Sequence, residues 1–216
     1  MPEIKFCGLT RPVDAEHAVA LGAAYVGVIF AGGPRLLTVR RATDVLGSVP
    51  ESVHRVGVFG DQTAQEIAQI AGQLSLSVAQ LHGMVDSAHL ERLRGLFGGE
   101  IWLVHRVDES GLPDEAAAVA LPGDGLLLDA YVPGVLGGAG RSFDWELLAP
   151  RLDTILNEKR LILAGGLRPE NVGRAIATIR PDVVDVSSGV ESAPGIKDHE
   201  RMTAFRDAVL ETSIST

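Results

Sequence analysis

The N-terminal segment reads Ile4-Lys5-Phe6-Cys7-Gly8-Leu9-Thr10-Arg11-Pro12, a short apolar run that leads through a turn into an amphipathic segment. Seven further apolar runs follow along the chain. The eight runs cover residues 4–7, 25–30, 55–59, 78–81, 101–105, 125–130, 161–164 and 183–186. They are rich in Val, Ile and Leu, as are strands that are buried on both faces of a parallel sheet.

Between these runs, five segments have the apolar spacing of amphipathic helices, and they cover residues 12–21, 63–73, 87–97, 169–179 and 198–211. The connections after the second, fifth and sixth runs look irregular, so we expect only short helices near 113–120 and 144–149. Alternating strands and helices form either a closed (β/α)8 barrel or a doubly wound open sheet. The turn after the first run is not the glycine-rich nucleotide loop of the open sheet. We therefore predict an α/β protein with one (β/α)8 barrel domain over residues 1–216, close to the lower size limit of about 200 residues.

Composition and charge exclude several classes of protein. Lys and Arg total 19 against 28 Asp and Glu, a net charge of −9 that argues against a nucleic-acid partner and a polybasic membrane face. A single cysteine rules out an intrachain disulfide and a cysteine zinc site. The six histidines are dispersed, so we predict no metal. Without a membrane-length apolar stretch or a signal-peptide pattern, we expect a cytoplasmic protein.

Two residues at the ends of apolar runs are candidates for proton transfer. Lys5 and Cys7 share a strand face, and a neighbouring ammonium would lower the pKa of the thiol and make it a usable base. Cys7 could instead be a small buried hydrophobic residue. Asp129 ends the sixth run, where burial would raise its pKa and suit it to act as a general acid. It could also be a surface residue that caps a loop.

The order of the strands brings these two candidates together in space. Active sites of (β/α)8 barrels lie at the carboxyl ends of the strands, and strands one and six are three steps apart in the ring. Cys7 and Asp129 could therefore face one small substrate from opposite sides. An acid and a base placed in this way favour isomerase chemistry, which needs no cofactor and no metal.

The loops after the last two runs are candidates for phosphate binding. Gly165 and Gly166 follow run seven, while Ser187, Ser188 and Gly189 follow run eight. Loops after strands seven and eight commonly hold a phosphate through backbone N–H groups, although these could also be tight turns. A third glycine-rich stretch, 134–142, departs from the nucleotide-loop pattern at two positions, and we expect it to close over the substrate.

Two further residues could contact a substrate directly. Arg35 follows Gly32-Gly33-Pro34, and its guanidinium could grip a carboxylate through two hydrogen bonds or lie solvated in the loop. Gln80 and His82 end the fourth run and should share a face. They could hydrogen-bond a substrate, although a packed histidine is the more common outcome.

These residues, in this order, resemble the phosphoribosylanthranilate isomerases of tryptophan biosynthesis. The resemblance extends from residue 5 to about residue 209. Six blocks carry it, namely Lys5-Phe6-Cys7-Gly8-Leu9-Thr10, Pro34-Arg35, Gln80-Leu81-His82-Gly83, Leu128-Asp129-Ala130 with Gly137-Gly138-Ala139-Gly140, Leu163-Ala164-Gly165-Gly166-Leu167, and Asp185-Val186-Ser187-Ser188-Gly189-Val190-Glu191 with Pro194-Gly195 and Lys197-Asp198.

The resemblance implies a TIM barrel that catalyses an Amadori rearrangement. N-(5-phospho-β-D-ribosyl)anthranilate would become 1-(2-carboxyphenylamino)-1-deoxy-D-ribulose 5-phosphate, the third step from chorismate, in a monomer or homodimer. Asp129 would be the general acid and Cys7 the general base. Arg35 would hold the anthranilate carboxylate, and Asp185 would meet a ribose hydroxyl. A related barrel lyase or synthase and a non-catalytic phosphosugar-binding barrel are the rival hypotheses. The family usually has a Lys-Ser-like or aromatic stretch before Arg35, and the small, flexible residues Ala31-Gly32-Gly33 leave the reach of Arg35 open.

Overall fold

Eight parallel strands close into a barrel in the computed structural model, which describes residues 1–83, 85–108, 112, 122–130, 144–152, 156 and 159–214. Neighbours in sequence are neighbours in the ring, and the first strand pairs with the eighth, so the predicted fold is confirmed. The strands are β1 (Glu3–Phe6), β2 (Tyr25–Ile29), β3 (His54–Phe59), β4 (Val78–Leu81), β5 (Glu100–Val107), β6 (Gly125–Ala130), β7 (Arg160–Leu163) and β8 (Val183–Val186).

Helices surround the barrel within the described residues. They are α1 (Pro12–Ala20), α2 (Val39–Leu46), α3 (Ala64–Leu74), α4 (Ser87–Leu96), α5 (Trp145–Leu148), α6 (Pro169–Ile179) and α7 (His199–Ile214). A short hairpin outside the barrel consists of β9 (Glu191–Ala193) and β10 (Ile196–Lys197). The helix expected near 113–120 and the closing loop expected at 134–142 lie outside the described residues.

The second connection contains α2, a regular helix that we did not predict. The sequence did contain a signal for its start, since Thr38 is a residue type preferred at helix N-caps. In the structure the Thr38 side chain accepts a hydrogen bond from the Arg41 amide at 3.3 Å and caps the first turn. Ala42, Val45 and Leu46 lie on one helical face and are buried against the barrel. The polar residues between them made the helical spacing of these apolar residues hard to recognise in the sequence.

Alternation along the strands divides the apolar side chains into two cores. The larger core packs between the strands and the helices; Phe6, for example, contacts Phe205 of α7 edge to face. The smaller core fills the barrel itself with Tyr25, Val56, Val78, Trp102, Leu127, Ile162, Ala164 and Val183. Because these side chains occupy the lower barrel, space for a ligand is left at the carboxyl ends of the strands.

Ionic and aromatic contacts close the opposite end of the barrel. The rings of Tyr25 and Trp102 lie 4.9 Å apart, and Arg160 donates to Glu3 at 2.7 Å across the amino ends of the strands. No helix in the described ranges combines the length and the apolar character that a membrane span requires.

Candidate active site

A cavity of about 360 Å³ opens at the carboxyl ends of the strands, a size typical of small-molecule sites. All ten predicted site residues line it. They are Cys7, Arg35, His82, Asp129, Gly165, Gly166, Asp185, Ser187, Ser188 and Gly189. Their roles remain predictions, but the fold brings every one of them to a single site.

Part of the cavity lining is apolar. It includes Ile29, Val58, Leu127 and Ala164, each from a different strand or strand end. A ligand in this cavity would be partly shielded from water, which strengthens electrostatic interactions with the polar residues of the lining.

Cys7 lies beside a buried ion pair. Lys5 and Asp185 are in register on β1 and β8, and the Lys5 ammonium donates to an Asp185 carboxylate oxygen at 2.7 Å. Burial alone would lower the pKa of Lys5, but the attraction of Asp185 and Cys7 raises it. Gly27 on β2 leaves room for the thiol, because a Cβ atom there would lie 3.0 Å from its sulfur.

The expected lowering of the thiol pKa was wrong. Burial is the largest influence and raises the pKa of Cys7, while the attraction of Lys5 lowers it and the repulsion of Asp185 raises it again. The ammonium of Lys5 does lie beside the thiol, as predicted. The prediction failed because the carboxylate of Asp185 offsets that ammonium and because an anion is costly in a buried site.

Asp129 has the environment of a general acid. Burial and the negative charge of Asp185 raise the pKa of Asp129 to about 6, although Arg106 opposes the shift. Arg106 and Asp129 are register partners on β5 and β6. At pH 7 roughly a tenth of this carboxyl therefore remains protonated, about a hundredfold more than for an ordinary Asp with a pKa of about 3.9.

Four buried polar atoms in the cavity wall have no hydrogen-bond partner within the described part of the chain. They are Gln80 Oε1, His82 Nε2, Asp185 Oδ1 and Ser187 Oγ. Burial lowers the pKa of His82 to about 4, so its ring is neutral at pH 7. Since buried polar groups are normally paired, these atoms indicate the places where a bound molecule supplies the partners.

The two predicted phosphate loops pack tightly against each other. Gly189 must be glycine because a Cβ atom there would overlap the carbonyl oxygen of Leu167. Ser187 accepts a hydrogen bond at its carbonyl oxygen from the buried Lys197 ammonium at 3.0 Å. A trans peptide directs its N–H opposite to its C=O, so this contact turns the Ser188 N–H away from Lys197.

Arg35 reaches the cavity although the segment before it consists of small residues. Its side chain passes over Gly8, where a Cβ atom would lie only 2.5 Å from Arg35 Cδ. Gly8 also has a φ of +70°, a conformation that favours glycine. The guanidinium makes two hydrogen bonds, at 2.8 and 2.6 Å, with the Glu191 carboxylate. Arg35 was predicted to bind a substrate carboxylate, and its pairing with a carboxylate of the protein itself was not expected.

Comparisons with known proteins identify the family. The family model for N-(5'-phosphoribosyl)anthranilate (PRA) isomerase matches residues 4–208 of this chain. The chain belongs to the phosphoribosylanthranilate isomerase family. The predicted family and the prediction of an isomerase are therefore confirmed.

Individual phosphoribosylanthranilate isomerases match over nearly their whole lengths. The isomerase of Acidithiobacillus ferrooxidans is 46% identical over 206 residues, covering 95% of this chain and 96% of the relative. That of Ralstonia pickettii is 40% identical over 216 residues, covering 96% and 92%. The crystal structure of the Thermotoga maritima isomerase superposes with a TM-score of 0.86 at 33% identity, covering 98% of this chain and 100% of that one.

Another solved phosphoribosylanthranilate isomerase is a complex with reduced 1-(o-carboxyphenylamino)-1-deoxyribulose 5-phosphate. It has a TM-score of 0.83 and 32% identity to this chain, covering 98% of this chain and 100% of that one.

Three charged residues near the site were not predicted to belong to it, two in the β9–β10 hairpin and one at the carboxyl end of β5. Glu191 and Lys197 were noticed only as part of the family resemblance, and Arg106 was not singled out. A charged residue in a short hairpin normally indicates a solvated surface. The burial of Glu191 and Lys197 could be recognised only once the hairpin was seen to fold against Arg35 and the phosphate loop.

Proposed function

We propose that this protein converts N-(5-phospho-β-D-ribosyl)anthranilate to 1-(2-carboxyphenylamino)-1-deoxy-D-ribulose 5-phosphate, with Asp129 as general acid and Cys7 as general base. One observation carries the proposal: the Asp129 carboxyl and the Cys7 thiol line the same cavity as Arg35 and the two glycine-containing loops. That cavity matches a substrate with a carboxylate at one end, a phosphate at the other and a pentose between them.

In the first step, the protonated Asp129 carboxyl donates its proton to the ribose ring oxygen. The bond between C1 and the ring oxygen breaks, and the nitrogen lone pair forms the C1=N bond of a protonated Schiff base. The raised pKa of Asp129 suits this step because the proton is available near neutral pH and is readily released in the transition state.

In the second step, the Cys7 thiolate removes the proton from C2 of the Schiff base. The electron pair of the C–H bond forms a C1=C2 double bond and neutralises the nitrogen. The resulting enolamine becomes the ketone when C1 gains a proton and the C2 hydroxyl loses one. Protons are redistributed and no electrons leave the substrate, so the rearrangement requires no redox cofactor. The ammonium of Lys5 stabilises the thiolate in the buried site.

The remaining contacts position the substrate. Arg35 binds the anthranilate carboxylate. The unpaired Oδ1 of Asp185 accepts a hydrogen bond from a ribose hydroxyl. Gly165, Gly166, Ser187, Ser188 and Gly189 hold the phosphate through backbone N–H and hydroxyl groups. His82 offers a neutral ring nitrogen to the substrate. A relative solved in complex with reduced 1-(o-carboxyphenylamino)-1-deoxyribulose 5-phosphate supports the chemical class of this ligand.

The proposal is tested directly by turnover of freshly prepared phosphoribosylanthranilate. Purified protein should consume the fluorescent substrate and form the carboxyphenylamino ketose in equal amount, as followed by fluorescence and chromatography. The same protein should give no turnover with free anthranilate plus ribose 5-phosphate, which controls for condensation in solution. Tight binding of the substrate without turnover would instead favour a non-catalytic phosphosugar-binding barrel.

The pH dependence of kcat/KM should show two limbs. Asp129 must be protonated and Cys7 ionised, so the pair as a whole holds one proton in its active form. We expect kcat/KM to be flat around neutral pH and to fall tenfold per unit below about pH 6, where both groups are protonated. A second fall is expected above the ordinary thiol pKa of about 8.5, since burial raises the pKa of Cys7. An acid limb with a midpoint near pH 4 would contradict the raised pKa of Asp129.

The proposal also covers the domain organisation, location, partners and assembly of the protein. The closure of the ring between β1 and β8 supports assignment of residues 1–216 to one domain. Membership of a biosynthetic enzyme family supports a cytoplasmic location. We assign a small-molecule substrate and no nucleic-acid partner to the acidic chain. A relative from Thermotoga maritima is described as dimeric, so a homodimer stands beside a monomer as the assembly state.

A further inference from the structure

Three charged side chains form a buried cluster next to the cavity. The Glu191 carboxylate lies between two cations, accepting from Arg35 at 2.8 and 2.6 Å and from the Lys197 ammonium at 2.8 Å. The side chains of Arg35, Glu191 and Lys197 are only 10%, 4% and 0% exposed. Loss of one partner from a cluster so buried would leave an uncompensated charge, which is far more costly than loss of a surface ion pair.

The β9–β10 hairpin brings Glu191 and Lys197, the two C-terminal members of the cluster, together. Glu191 and Lys197 are register partners in this hairpin. The backbone of Lys197 is fixed in turn, because its N–H donates to Asp14 at 3.3 Å and its carbonyl oxygen accepts from Arg11 at 3.1 Å. The hairpin is therefore anchored on α1, and it presents Glu191 to Arg35 in one orientation.

The contact with Glu191 leaves Arg35 capable of binding a second carboxylate. A guanidinium has five N–H donors, and the Glu191 contact uses Nε and one hydrogen of Nη2. The remaining donors lie along the Nη1 and Nη2 edge, and Arg35 lines the cavity whereas Glu191 does not. Two cations and one anion leave the cluster with a net charge of +1, which suits an incoming carboxylate.

The cluster also connects the two ends of the site. Lys197 donates to Glu191 and to the Ser187 carbonyl oxygen, at 2.8 and 3.0 Å. Ser187 belongs to the proposed phosphate loop, so one ammonium joins that loop to the carboxylate that holds Arg35. The distance between the two anion-binding groups is thereby set by buried side chains rather than by flexible loops.

Building on the proposed function, we propose that Glu191 is a positioning residue for substrate binding: it holds Arg35 so that the free edge of the guanidinium meets the anthranilate carboxylate. Lys197 fixes Glu191 relative to the phosphate loop. Glu191 does not contact the substrate in this scheme. Its removal should therefore weaken binding at the carboxylate end while the proton-transfer groups stay in place.

The test compares Glu191→Gln with the parent protein in steady-state turnover. We expect KM to rise about tenfold with kcat within about twofold, because the neutral amide cannot accept both Arg35 hydrogen bonds. Glu3→Gln is the matched control, since Glu3 also pairs with an arginine, Arg160, at 2.7 Å but at the opposite end of the barrel. That variant should keep the parent KM.

Two further measurements separate positioning from a purely structural role. With the phosphoribosyl derivative of aniline, which lacks the carboxylate, Glu191→Gln and the parent protein should have equal KM values. Combined with Arg35→Gln, the Glu191→Gln substitution should raise KM for the natural substrate no further than Arg35→Gln alone. An equal loss with both substrates, or additive effects in the double variant, would overturn the proposal.

The remaining outcomes are also decisive. A fall in KM for Glu191→Gln would mean that Glu191 competes with the substrate for Arg35, and an unchanged KM would mean that Arg35 needs no support. If Glu191→Gln does not fold, Glu191→Asp keeps the charge but shortens the reach, and it should show the same rise in KM. Failure of the parent protein to turn over the natural substrate would instead disprove the proposed function.

Discussion

Replacing Asp129 with asparagine should lower kcat by about 10²–10⁴-fold, the usual contribution of general acid–base catalysis. The amide has nearly the same shape as the carboxyl group but has no proton acidic enough to give to the ribose ring oxygen. Because the lost interaction exists only during proton transfer, KM should change little. Steady-state turnover of phosphoribosylanthranilate at pH 7 measures both quantities.

The same variant should be more stable than the parent protein at neutral pH. In the folded state the pKa of Asp129 is about 6, above the ordinary value of about 3.9. Because the folded-state pKa is the higher one, the free energy of unfolding is greatest below about pH 3.9 and decreases as pH rises from there to about 6. Above pH 6 the folded protein bears a buried charge that costs on the order of 1–3 kcal/mol, and asparagine removes it. Thermal unfolding at pH 7.5 checks this gain.

A matched control separates the role of Asp129 from the general effect of removing a carboxylate. Asp207 lies on the exposed side of α7 and pairs only with its neighbour Arg206 among the contacts described here. Asp207→Asn should keep the parent kcat and nearly the parent stability. Retention of full kcat by Asp129→Asn would remove Asp129 from the mechanism, whatever its effect on stability.

The sequence was sufficient to predict the barrel and the members of the site because both follow from short-range patterns. Apolar runs bury both faces of a parallel strand, so β4, β6 and β8 match the predicted runs in full. Alternation along a strand then places Cys7 on the same face as Lys5, and Asp129 on the same face as Leu127. These rules require no knowledge of distant residues.

What could not be predicted depends on contacts between residues far apart in the chain. The pKa of Cys7 follows from its burial, from Lys5 and also from the carboxylate of Asp185, which is 178 positions away in the chain. The orientation of Arg35 depends on Glu191, which lies 156 residues away in the chain. No local pattern indicates that these charges meet, because charged residues at such positions are usually solvated. Their pairing became visible only when the barrel placed the loops around one opening.

Cys7→Ser should have the second large effect, a loss of kcat of about 10²-fold or more. A serine hydroxyl fits the space of the thiol, but it is a far weaker acid and leaves almost no anion to remove the C2 proton. Lys5 cannot compensate, because its ammonium is already paired with Asp185 at 2.7 Å. The alternative interpretation of Cys7 as a small buried hydrophobic residue predicts unchanged turnover in Cys7→Ala.

Deuterium at C2 of the substrate distinguishes a lost base from a distorted site. When Cys7 is replaced by serine, C2–H cleavage becomes the slow step, so deuterium should lower kcat further in Cys7→Ser than in the parent protein. In Asp129→Asn the slow step becomes ring opening, and deuterium at C2 should have little effect. Equal isotope effects in the two variants would mean that Cys7 and Asp129 do not act in separate steps, and full turnover by Cys7→Ala would exclude the thiol as the base.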